Sequence, residues 1–252
     1  MLSARLKNTI ITLALCFLAA LAFSQSARLP KASSFPLSLA PSPSALALAT
    51  SPPCPSPAPA PETSAGAESL SEALARNAIQ FLGRYKISVG EKRFTNDCSG
   101  TVRAILYAAG VRIESGLMRF PARSATQSLY YYFESQGCLV ASRDLRPGDI
   151  LFWDNTYDRN GNGLADDELS HVGIVVSASE NGDVEFVHYN YSLGVVRARM
   201  NLSQPALVYA DRGGQNTLIN TPLRIPGWAP DRLRLTSELF HGAARLPEPV
   251  QP

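Results

Sequence analysis

Hydrophobic spacing changes character at Pro147-Gly148, and that change limits what this chain can fold into. Before it, Leu70, Ala73, Leu74, Ala78, Phe81 and Leu82 recur at helical intervals and predict a first amphipathic helix. Val102, Ile105, Leu106 and Ala109 predict a second helix that follows Cys98 and stops at Gly110. A third is expected over Ala125–Glu134, with Tyr130, Tyr131 and Tyr132 as packing residues. After Pro147-Gly148 the chain turns to short β-branched and aromatic runs separated by turn residues: Ile150–Trp153, His171–Ser177, Val184–Tyr189, Val195–Met200 and Ala206–Ala210. Helices first and strands afterwards indicate an α+β domain, with helices packed on an antiparallel sheet of about five strands.

The two ends differ from this middle. Arg5 and Lys7 precede an apolar run from Ile10 to Phe23, followed by the small residues Ser24, Ser26 and Ala27. That pattern predicts an export signal over residues 1–27, because the run is short beside the roughly 20 apolar residues of a membrane span. Cys16 lies inside the run behind the bulky Leu15, which does not suit a lipid-attachment site. Residues 28–67 are rich in Pro, Ala and Ser and too poor in large apolar groups to offset their ordering entropy, so a disordered tether is expected there. Residues 68–212 are then the folded domain. Residues 213–252 form a proline-rich extension with a short helix around Ser237–Arg245. Signal removal leaves Cys54, Cys98 and Cys138, an odd number that leaves at least one thiol unpaired within the chain.

Asn96-Asp97-Cys98-Ser99-Gly100 sits where a loop becomes a helix. Unpaired amides and the positive end of the helix dipole stabilise a thiolate there, so a thiol titrating well below about 8.5 is expected. His171 opens the run His-Val-Gly-Ile-Val-Val, and a histidine at a strand end suits a general base. His188, on the next strand, is the candidate to orient it, with Asn190 as the fallback. A turn centred near Ser179 and Glu180 would place the two histidines opposite each other. A tight Asn181-Gly182 turn would offset them by about four residues. Trp153 is expected in the core, and His241 has no partner motif.

Asp97-Cys98-Ser99-Gly100, Arg146-Pro147-Gly148-Asp149-Ile150-Leu151-Phe152, His171-Val172-Gly173-Ile174-Val175 and Phe186-Val187-His188 resemble, in order, the motifs of the NlpC/P60 cysteine peptidases. The resemblance spans roughly Ser69 to Arg212. It implies a papain-like α+β fold and hydrolysis of peptide bonds in peptidoglycan stems, commonly between D-glutamate and a diamino acid. It implies Cys98 as nucleophile, His171 as base and His188 as orienter, with no cofactor required for catalysis. Many members carry an aromatic-Trp-Gly-Gly segment before the cysteine. Here that stretch reads Tyr85-Lys86-Ile87-Ser88-Val89-Gly90, so Tyr85 is left to hold the substrate's free amine. Ser99 and Tyr189 are expected to line the substrate groove. A CHAP-like amidase and a catalytically silent wall-binding module are the alternatives.

Between Trp153 and His171, the run Asp158–Glu168 places oxygen-bearing side chains at alternating positions before a glycine, as an EF-hand-type loop does. Asp158, Asn160, Asn162, Leu164 and Asp166 would hold a structural Ca²⁺, although Leu169 stands where that pattern has a bidentate Glu. A formal charge of +2, with no basic run or stripe, argues against nucleic acid as a partner. Peptidoglycan is the expected partner of an exported monomer, periplasmic or secreted, that keeps no membrane segment once its signal is removed.

Overall fold

The computed structural model describes residues 68–223 and 234–248, so the signal, tether and Cys54 expectations lie outside the described residues. In chain order the elements are α1 (Leu70–Gln80), β1 (Ser88–Val89), β2 (Lys92–Arg93), α2 (Cys98–Ala108), α3 (Glu114–Leu117) and α4 (Ala125–Ser135). Then follow β3 (Leu139–Val140), β4 (Ile150–Trp153), β5 (His171–Ala178), β6 (Asp183–Asn190), β7 (Gly194–Asn201), β8 (Tyr209–Asp211), β9 (Asn216–Leu218) and β10 (Phe240–Ala244). The domain is α+β, with an antiparallel sheet in the order β3-β10-β4-β5-β6-β7.

The three long helices, α1, α2 and α4, each start where a side chain can take up orphan amides. Ser69 and Glu72 form a reciprocal capping box on α1, and the Glu248 carboxylate adds acceptors for the Leu70 and Ser71 amides at 2.6 and 3.1 Å. Asp97 caps α2, and Ser124 caps α4 by accepting the Gln127 amide. Gly110, with φ of +84°, follows the end of α2 in a left-handed conformation that costs glycine little.

The sheet is covered on both faces. Leu74, Ala78, Val102, Ile105, Leu129 and Phe133 of the helices pack on Ile150, Phe152, Val172, Ile174 and Val187. On the reverse face Leu151, Trp153, Val175, Phe186 and Met200 are buried with Leu239 and Ala243. Trp153 is a core residue, and its indole N–H donates to the Thr236 carbonyl at 2.7 Å.

Two expectations are corrected. The strand expected at Ala206–Ala210 is not part of this sheet: β8 begins at Tyr209 and, among the described residues, pairs with β9 in a separate two-stranded sheet. The helix expected around Ser237–Arg245 is instead β10, which lies between β3 and β4. Helix-forming Ala243 and Ala244 yield there to ladder pairing and burial, so the sheet extends past the boundary set at residue 212.

Candidate active site

Cys98 is the first residue of α2 and the free cysteine among the described residues, while Cys138 is disulfide-bonded. One Asp97 carboxylate oxygen accepts both the Gly100 amide at 2.7 Å and the Ser99 hydroxyl at 2.8 Å, which fixes the turn that presents the sulfur. Gly100 is required by contact: a Cβ there would lie 2.0 Å from the Thr95 carbonyl oxygen. Cys98 as a residue is half-buried, and its sulfur lies 3.9 Å from the Thr126 hydroxyl in the first turn of α4.

The thiol is pushed up to about 11, not down. Burial is the main cause and the neighbouring Asp97 carboxylate the second. The Thr126 hydroxyl and the backbone amides of Val172 and Ser99 oppose them without prevailing. A thiol of this kind is protonated in the resting protein. The Val172 amide is informative in another way, because it places the sulfur beside the residue that follows His171.

The two histidines meet: His171 Nε2 lies 2.9 Å from His188 Nδ1. They do so in neither expected register. Gly173 pairs with His188, so His171 stands two positions before the residue opposite His188, and a bulge at Val176 absorbs the extra residue. His171, Gly173 and His188 share one face, and the imidazoles approach diagonally across the glycine. A Cβ on Gly173 would lie 2.9 Å from the Val187 carbonyl oxygen, 3.1 Å from the Phe186 ring and 3.3 Å from His188 Cβ. The absent side chain is what lets the rings meet.

Burial lowers both imidazoles. His171 is held well below its ordinary value, first by burial and then by His188. His188 is lowered to about 4, again by burial, with a backbone hydrogen bond at Tyr189 opposing. The unfolded chain therefore binds a proton at His188 below about pH 6.5 that the folded chain refuses until about pH 4, so stability is present at neutral pH and lost as pH falls through that window. The loss from His188 alone is on the order of 3 kcal/mol. Melting curves of wild type and His188→Gln at neutral and acid pH should show a shallower acid slope in the variant. Equal slopes would contradict this.

The residues expected to touch substrate divide. Ser99 is only 3 % exposed and its hydroxyl is committed to Asp97, so it is not a substrate donor. Tyr189 is buried in the core, and its hydroxyl donates to the Tyr85 carbonyl at 3.2 Å instead of lining a groove. Tyr85 is 56 % exposed, and its hydroxyl is 3.4 Å from the Ser192 carbonyl. Asn190 caps its own turn by accepting the Ser192 and Leu193 amides. Thr126 was not found from sequence, since only the fold brings it to the sulfur.

The loop before His171 is closed largely by its own groups. Asp158 accepts the Gly161, Asn162 and Gly163 amides, and Asp166 accepts the side-chain amides of Asn160 and Asn162. Asp167 is drawn away to the Arg159 amide. Among the described residues, no three of His, Cys, Asp and Glu gather where they could hold a metal.

No family model matches this chain, and no curated protein does. A solved structure titled as similar to lipoprotein, NLP/P60 family, from Staphylococcus aureus subsp. aureus Mu50, is similar to it at 18 % identity with a TM-score of 0.35. The similarity is to an NLP/P60 protein. It covers 70 % of this chain and 41 % of the other, so the chain spans less than half of that structure's length. Among the described residues no helix is long and apolar enough to cross a membrane.

Proposed function

We propose that this protein is a cysteine hydrolase of NlpC/P60 type with a papain-like domain, cleaving amide bonds in peptidoglycan stem peptides, commonly between D-glutamate and a diamino acid. The observation that carries this reading is the His171–His188 hydrogen bond, formed on a strand whose next amide faces the Cys98 sulfur. His188 stays neutral at working pH and accepts the His171 Nε2 proton. That selects the tautomer in which His171 Nδ1 has a lone pair.

Because the resting thiol is protonated, attack and proton transfer are coupled in this mechanism. His171 Nδ1 takes the thiol proton as the sulfur adds to the carbonyl carbon. It then gives the proton to the departing amine, leaving a thioester that water hydrolyses with the same base. Tyr85, exposed beside this end of the sheet, holds the substrate amine in this reading. The protein acts as an exported monomer, periplasmic or secreted. Mass spectrometry of peptidoglycan fragments after incubation with wild type and Cys98→Ala tests activity and identifies the bond. Stem-peptide cleavage supports the proposal, sugar–peptide cleavage favours the CHAP-like alternative, and wall binding without hydrolysis favours the silent module.

The loop Asp158–Asp166 is proposed as a structural Ca²⁺ loop, with Asn160, Asn162 and the Leu164 carbonyl supplying oxygens that no third acidic side chain does. Calorimetry on chelator-treated protein should show heat on Ca²⁺ addition, lost in Asp158→Ala. No heat in the wild type removes the idea.

A further inference from the structure

A histidine–carboxylate pair, Asp154 with His241, lies outside the cysteine site and is tied to the segment that leads into His171. Asp154 follows β4, and its amide donates to the Leu239 carbonyl at 2.9 Å. One of its carboxylate oxygens accepts the Leu169 amide at 2.7 Å, and the other lies 2.9 Å from His241 Nδ1. The His241 ring in turn packs edge-on against Tyr130, with centroids 4.9 Å apart, and Tyr130 packs against Phe152.

Two features mark this as more than a surface pair. Leu169 is 1 % exposed and has φ of +50°, a left-handed conformation that a bulky residue keeps only when its surroundings impose it. Among the described non-glycine residues, only Asn155 shares that conformation, and it lies beside Asp154. The β10–β4 ladder also shifts register between Phe240 and Gly242, at His241, and such irregularities re-aim a side chain.

The remaining contacts run in one direction. Asn155 exchanges hydrogen bonds with Asp167, Asp154 holds the Leu169 amide, and the Ser170 amide donates to Trp153 O at 2.8 Å. The Ser170 hydroxyl accepts the Thr156 amide at 2.9 Å. This clamp ends at His171. We propose that Asp154, held by His241 of the C-terminal strand, is a positioning residue that keeps Leu169 in its left-handed conformation and so sets His171 toward Cys98. The proposal rests on the Cys98–His171 reading above.

Iodoacetamide labelling of Cys98 in the full chain tests it, with the rate at the Cys98 peptide followed by mass spectrometry from about pH 5 to about pH 10. Wild type is compared with His171→Ala, Asp154→Ala, Asp154→Asn and His241→Ala. Asp154→Ala should take on the His171→Ala profile, with a rate change of about tenfold near neutral pH. Asp154→Asn keeps an acceptor for the Leu169 amide and should restore the wild-type profile, a rescue that general loosening would not give. His241→Ala, which removes a partly exposed ring, should shift the profile the same way and decides the matter where Asp154→Ala does not fold. Wild-type profiles in both Asp154→Ala and His241→Ala, while His171→Ala differs, overturn the positioning role alone. Coincident wild-type and His171→Ala profiles overturn the Cys98–His171 reading and this proposal with it.

Discussion

Cys98→Ala is expected to release no stem-peptide fragments from purified cell wall above the protein-free control, a loss of at least about 10³-fold. The substitution is mild for the fold. Alanine is a good helix former at the first position of α2, and the Asp97 cap and the Gly100 approach to Thr95 do not involve the sulfur. Cys98→Ser keeps a hydroxyl in place of the thiol and should still fall far below wild type, because the alcohol is a much weaker nucleophile beside a neutral imidazole. Fragment release by Cys98→Ala at the wild-type rate, with the melting temperature unchanged, would sink the nucleophile assignment. The high thiol value adds a kinetic signature. An alkylation rate still climbing with pH above neutrality is what a buried thiol near 11 gives, whereas a preformed thiolate would give a plateau.

What the sequence made legible follows the range of the forces involved. α1, α2 and α4 are written in the spacing of Leu70, Leu74, Val102, Ile105 and Leu129, with caps at Ser69, Asp97 and Ser124, because helical bonds are local. Strands β4 to β7 were legible because short β-branched and aromatic runs between turn residues are also a local signal. Their register was not, since the bulge at Val176 depends on how β5 and β6 pack together, and it places the histidines on a diagonal that neither simple turn predicts. Cys98 and His171 stood out because each opens an element within a short motif, and His188 because it sits in the next strand's motif. Thr126, Asp154 and His241 carry no local mark, since their partners are 28, 15 and 87 residues away. β10 reads as a helix because its alanines suit one in isolation, and only the gap between β3 and β4 makes them a strand.

That misreading has a large consequence, because β10 leads directly into Arg245. Its guanidinium binds both oxygens of the fully buried Asp149, at 2.7 and 2.8 Å, and Asp149 also accepts the Arg146 amide. The carboxylate holds Arg245 above its ordinary value, so the cation is present at any accessible pH. Arg245→Ala leaves a carboxylate sealed beneath the Pro147-Gly148 turn without its counter-charge, and should cost about 3–5 kcal/mol. Against the roughly 5–15 kcal/mol that holds a domain of this kind together, such a loss leaves little margin. Arg245→Lys keeps the charge but not the two-pronged geometry and should fall between. In a double-mutant cycle with Asp149→Ala, the second substitution should cost far less than it does in the wild type, because the charge that needed a partner is already gone. Chemical denaturation curves of the four proteins measure this. An Arg245→Ala unfolding free energy within about 1 kcal/mol of wild type would mean that the C-terminal strand only rests on the domain, with the pair as weak as an exposed one.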